Sequence, residues 1–189
     1  DVSHFRLSAH LFIAFIILAS LTWYYLNFKT NSNKSFFINN SKFISIKIFL
    51  FLIFLQIILG AFVSGMDAGK IYQTWPLMNE NYFPNDTEFV KIKDYFNFNN
   101  HSLVQFLHRN LAYLIFFLSI YIGITIFKQK KQKLFKPYLI FFLIILIQIF
   151  LGIMVLLTST NFYLASLHQI STIFLVISSL NLYHNSLSS

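Results

Sequence analysis

PYLIFFLIILIQIFLGIMVLLTSTNFYLASLHQISTIFLVISSL, residues 137–180, contains no Asp, Glu, Lys or Arg, and none follows it. That blank decides the fold class. A helix crossing hydrocarbon needs about 20 mostly apolar residues, and this run is too long for one crossing. Thr158, Ser159, Thr160 and Asn161 make a polar break in its middle. The run therefore divides into two spans, 138–157 and 162–183.

Working outward, residues 7–28, 43–66 and 103–127 are apolar in the same way. Their only charged residues are Lys47 near one start and Arg109, beside His108, within the last. The expectation is an all-α, polytopic membrane protein of five transmembrane helices. Composition agrees: 57% of residues are hydrophobic and 11% charged, too few to furnish the surface of a soluble domain. The absence of cysteine removes disulfides, thiolate zinc sites, iron–sulfur clusters and cysteine nucleophiles. The net charge of +8 does not point to nucleic acid, because the lysines cluster between apolar runs. The chain begins at Asp1 without a methionine or a basic segment ahead of the first apolar run. That suits either a removed signal or a part of a longer chain.

The lysines also set orientation. Lys29, Lys34 and Lys42 follow the first span, and Lys128, Lys130, Lys131, Lys133 and Lys136 follow the third. The second connection, 67–102, carries Asp67, Glu80, Asp86, Glu88 and Asp94 against Lys70, Lys91 and Lys93. The lysine-rich loops are expected inside, with the long acidic loop and the N-terminus outside. That loop also holds Tyr72, Trp75, Tyr82, Phe83, Tyr95, Phe96 and Phe98. It reads either as an interfacial aromatic belt or as a lid over the outer end of the bundle.

An internal repeat emerges. LQIILGAFV (55–63) matches IQIFLGIMV (147–155), pairing Gln56 with Gln148 and Gly60 with Gly152. A histidine-bearing span follows each. Repeats in membrane proteins place sites at the repeat interface, and each glycine admits close helix contact.

Of six histidines, His4, His101 and His184 fall at span ends and are assigned no function. His10, His108 and His168 lie within apolar segments, where an ionisable side chain is costly and suggests function. All three spans run inward, and the three imidazoles fall at similar depth below the outer surface. His108 and His168, on parallel helices, can face one point from opposite sides, as bis-histidine haem ligation requires. The competing reading is hydrogen bonding between helices. His10 is left without a partner, as half of a second site. Arg109 suits a haem propionate through its forked donors or, alternatively, snorkels to the interface.

Four stretches carry a resemblance. LGAFVSGMDAGKIYQTWPLMN (59–79), VQFLHRNLAY (104–113), LGIMVLL (151–157) with LASLHQ (164–169), and VSHFRLSAHL (2–11) are similar, in order and spacing, to the haem A synthase family. Members of that family convert haem O to haem A by oxidising a porphyrin methyl to a formyl. The family consists of two homologous four-helix bundles, and this chain resembles its fourth to eighth spans. The resemblance implies that 1–28 is a helix of a preceding bundle and 29–42 a cytoplasmic loop. It also implies that 43–189 is a C-terminal four-helix bundle binding haem b through His108 and His168. His10 would contribute to the site of the substrate, haem O, in the other bundle. The family's partner histidine and its acidic residue on the first outer loop have no counterpart here, so the chain alone would be an incomplete oxidoreductase. Asp67, Tyr72, Trp75 and Pro76 lie in the signature and read first as loop structure.

The alternatives are a bis-histidine haem b cytochrome that transfers electrons without converting a substrate, and a haem-free transporter or assembly protein. Expected surroundings are the lipid bilayer of a bacterial inner membrane, favoured over a mitochondrial one by the Phe/Ile/Lys/Asn bias. There is room for haem O synthase, an electron donor and a homo-oligomeric partner.

Overall fold

The computed structural model of the protein describes residues 3–37, 44–86, 94 and 97–187. Lys42, Glu88, Lys91, Lys93, Tyr95 and Phe96, which entered the loop reading, lie outside them. Five helices follow in order: α1 (His4–Lys29), α2 (Ile44–Gly65), α3 (His101–Lys128), α4 (Gln132–Leu157) and α5 (Phe162–Ser186). Each is long and apolar enough to cross a membrane, and the chain is a multi-pass membrane protein. Between α2 and α3 lie a 3₁₀ turn at Ala68–Lys70 and an isolated bridge between Met78 and Asn81.

Helix boundaries fall within a few residues of the apolar runs, with one larger difference. α4 starts at Gln132, ahead of Pro137, which lies inside it. The proline forfeits one backbone hydrogen bond. Leu134 is fully buried and Tyr138 nearly so, so packing holds the turn that the charge pattern assigned to a loop. The two histidine-bearing helices share a start signal. Asn100 caps α3 by accepting from the Leu103 amide at 2.9 Å, and Asn161 caps α5 by accepting from the Tyr163 amide at 3.0 Å.

α2, α3, α4 and α5 touch in cyclic order, and α1 lies outside the ring against α2 and α5. The ring's interior is aliphatic and aromatic: Ile53, Ile57, Ile122, Ile145, Val176 and Leu180 are buried, and Phe49 meets Phe141 edge-on at 4.8 Å. Phe117, Leu143 and Phe150 are as apolar yet exposed. In lipid, hydrophobicity does not sort inside from outside; small and hydroxyl-bearing residues do. Ser119, Ser178 and Ser179 are buried accordingly, their hydroxyls donating to carbonyls of their own helices.

α1 is fastened at both ends. At the end carrying the 67–102 loop (the outer end), a Cβ on Gly65 would lie 3.1 Å from the His4 Cβ, so the two backbones cross closely there. At the inner end, residues 30–37 are bound to α5. Lys34 Nζ donates to the His184 carbonyl at 2.8 Å, and His184 Nε2 lies 3.1 Å from Asn27 Oδ1. Asn27 also accepts from the Lys34 amide and donates to the Lys34 carbonyl, which receives the Trp23 indole N–H as well. Trp23 stacks on Tyr183, whose hydroxyl donates to the Phe36 carbonyl. Burial holds the Lys34 ammonium below its ordinary pKa. His184, assigned to an interface by sequence, is 1% exposed. Asn27→Leu is expected to leave several of these groups unpaired and to cost about 1–3 kcal/mol, read as a lowered Tm in detergent.

Candidate functional site

The repeat becomes two matching cradles. Between α2 and α3, the Gln56 amide donates to the His108 carbonyl at 3.0 Å. A Cβ on Gly60 would lie 3.2 Å from the His108 imidazole Cε1. Between α4 and α5, Gln148 donates to the His168 carbonyl at 3.1 Å, and a Cβ on Gly152 would lie 3.1 Å from the His168 Cε1. In each half, therefore, the glutamine holds the histidine's main chain. The glycine one turn on leaves the space its ring occupies. Sequence reading had the glutamines only as repeat markers; their hold on the histidine backbone needed the helix pairing.

His10, His108 and His168 each lie about two turns, roughly 10 Å, in from the outer end of their helix. His10 is not brought to His108 or His168. α1 buries Ser8, Phe15 and Thr22 on one face, and at 100° per residue His10 lies about 200° round from Ser8. It is exposed on the side facing away from α2 and α5.

Buried polar atoms without a hydrogen-bond partner concentrate here. Among the described residues they include Nδ1 of both His108 and His168, Gln56 Oε1, Gln105 Oε1, Arg109 Nε and the Tyr113 hydroxyl. Buried polar groups are normally paired. On α3 these residues recur at helical spacing, which puts Gln105, His108, Arg109 and Tyr113 on one side. No group of three or more His, Cys, Asp or Glu comes together among the described residues. Two imidazoles set in matching cradles, with no carboxylate cage among the described residues, form a donor set suited to an iron porphyrin rather than to a hard cation.

Above the cradles the outer loop folds over the bundle, in keeping with the lid reading for its described part. Arg109 fastens it: Nη2 donates to the Tyr72 carbonyl at 2.8 Å, and Nη1 to the carbonyls of Thr74 and Leu77 at 2.9 and 3.3 Å. Gln105 donates to the same Tyr72 carbonyl at 2.8 Å. Asp86 accepts from the Tyr72 and Ser102 hydroxyls, each at 2.6 Å. Burial, and then the Asp86 carboxylate, raise the Tyr72 phenol above its ordinary pKa. Tyr82 donates to Asn110, and Ser159 donates to Gln73 at 2.7 Å, tying the loop to the α4–α5 turn. Asp67 forms an exposed ion pair with Lys70 at 2.9 Å, and Trp75 is about half exposed. Asp86, Ser102 and Gln105 were missed by sequence reading, since a lone polar residue in a loop or in the first turns of a helix carries no periodic signal.

The model of a family described as cytochrome oxidase assembly protein matches residues 1–180. Among curated proteins, the chain is 47% identical over 188 residues to the haem A synthase of Pelagibacter ubique, covering 98% of this chain and 54% of that protein. It is 38% identical over 181 residues to the haem A synthase of Wolbachia pipientis, covering 95% and 50%. With that of Rickettsia africae it shares 34% identity over 183 residues, covering 93% and 52%. No solved structure matches the chain. The chain spans about half the length of the curated relatives it matches. A match running from the start of α1 into α5 takes in both cradles and the loop above them, and the chain belongs to the cytochrome oxidase assembly protein family.

Proposed function

We infer that this chain is the C-terminal half of a haem A synthase, an inner-membrane oxidoreductase of haem A biosynthesis. In this reading, residues 43–189 form a bundle holding haem b between His108 and His168. The observation that carries the reading is the pair of matched cradles, each seating one half-buried imidazole against a glycine with its main chain held by a glutamine. Haem b would supply one-electron exchange in a low-dielectric setting. The residues around it do the rest. His108 and His168 present neutral imidazoles, held in place by Gln56, Gly60, Gln148 and Gly152. Arg109 keeps Nε unpartnered after fastening the loop, and its charge suits a propionate. The folded loop keeps water from the outer end.

His10, exposed on the far side of α1, is read as a ligand of the substrate-haem site in the other half, where haem O would be oxidised. Residues 1–28 then belong to that half, and 29–42 form the inner loop. Bacterial relatives and the lysine pattern support the inner membrane of a bacterium. Haem O synthase and an electron donor are the partners this reading calls for.

The test is a reduced-minus-oxidised optical spectrum of the purified full gene product. A sharp low-spin haem b signal is expected, lost in His108→Ala and in His168→Ala. A signal that survives loss of both histidines sinks the ligand assignment.

A further inference from the structure

The two cradles differ in one respect. On α5 the residues three and four positions beyond His168 are Ser171 and Thr172; on α3 the matching positions beyond His108 are Leu111 and Ala112. The glutamines respond. Gln148 is saturated: Nε2 donates to the His168 carbonyl at 3.1 Å and to Thr172 Oγ1 at 2.7 Å, and Oε1 accepts from the Ser171 hydroxyl. Gln56 meets no such hydroxyls. Its Nε2 donates to the His108 carbonyl at 3.0 Å and also reaches His108 Nε2 at 3.4 Å, while its Oε1 is buried without a partner.

An amide donating to Nε2 selects the imidazole tautomer with its proton on Nδ1. Nε2 is the nitrogen remote from the main chain, and so the one a planar macrocycle can meet from a helix. It has one lone pair, which goes either to Gln56 or to iron. On the α5 side both Gln148 hydrogens are already engaged, so that glutamine offers no donor to a His168 that has left iron.

Resting on the bis-histidine reading above, we propose that the two axial positions are inequivalent. His108 is the exchangeable ligand, His168 the fixed one, and Gln56 is the positioning residue that receives the His108 imidazole when it leaves iron. A small ligand reaching the haem therefore enters on the α3 side.

The experiment is a carbon monoxide titration of the reduced full gene product, purified with its haem and followed at the Soret band. Wild type is expected to bind carbon monoxide. Gln56→Leu deletes the group that receives His108 and is expected to weaken binding roughly tenfold, on the scale of one hydrogen bond. Ala112→Thr supplies Gln56 with the hydroxyl that Thr172 supplies to Gln148, and is expected to weaken binding similarly.

The proposal is overturned if wild type keeps its low-spin haem and takes up no carbon monoxide. It is equally overturned if Gln56→Leu binds carbon monoxide as tightly as wild type, or if Ala112→Thr changes nothing. Purified protein with no low-spin haem at all sinks the bis-histidine reading instead, so the two failures are told apart. Should Gln56→Leu not fold, Ala112→Thr carries the test.

Discussion

On the bis-histidine reading, Gly152→Val is expected to strip haem from the protein while leaving the helices inserted. A Cβ at this position would already stand 3.1 Å from the His168 imidazole. Alanine therefore asks the ring to move by a few tenths of an ångström. Valine adds two further carbons in the space the ring fills, with α4 and α5 unable to part because their packing continues above and below. Overpacking of this kind costs about 1–3 kcal/mol, and the ring is the mobile element, so the cost falls on ligand geometry. The expected loss is roughly five- to hundredfold in haem retained per protein for valine, and under about fivefold for alanine. A pyridine haemochrome assay on purified variants reads it, with circular dichroism to show retained helix. Gly60→Val should act likewise through His108. Full haem retention in both valine variants would show that the imidazoles do not ligate from these cradles.

The second large effect is expected at Arg109. Arg109→Ala removes donors from three loop carbonyls, those of Tyr72, Thr74 and Leu77. Hydrogen bonds from a charged donor contribute about 1–3 kcal/mol in net terms, so the open fraction of the loop should rise roughly five- to hundredfold. Chymotrypsin applied from the outer face reads this as faster cleavage after Tyr72 or Tyr82. Arg109→Lys should not restore protection. An ammonium is a compact point charge and lacks the planar fork that spans three separated acceptors. Cleavage at the wild-type rate in Arg109→Ala would assign the hold on the loop to Asp86 and Gln105 instead.

How far the sequence could be read depended on the kind of signal each residue leaves. Spans were legible because charge is expensive in hydrocarbon, so lysines mark where it ends. Even there Lys133 and Lys136 misled, since buried Leu134 carries α4 through them. The cradles were half legible. Gln56 and Gln148 with their glycines recur at fixed spacing, and the histidines follow at matched depth. What the glutamine amides bind could not be read, because a carbonyl on another helix leaves no trace in a motif. Arg109 shows a different limit: forked donors suit a carboxylate and a row of carbonyls equally well, and only the fold says that the loop carbonyls are there. Lys34 and His184 meet across almost the whole chain, and no local pattern announces such a meeting.

The two fastenings of α1 have a mechanical meaning. A helix lying on the outside of a bundle and touched mostly by lipid is free to roll about its own axis. α1 is not: the close crossing at Gly65 clamps it at one end, and the Asn27–Lys34–His184 buckle clamps it at the other. Two clamps at opposite ends of a rod remove rolling and tilting together. His10 therefore keeps a constant heading, set by the bundle behind it. A segment that meets this face encounters a keyed surface, whose position is transmitted rigidly from the cradles of His108 and His168.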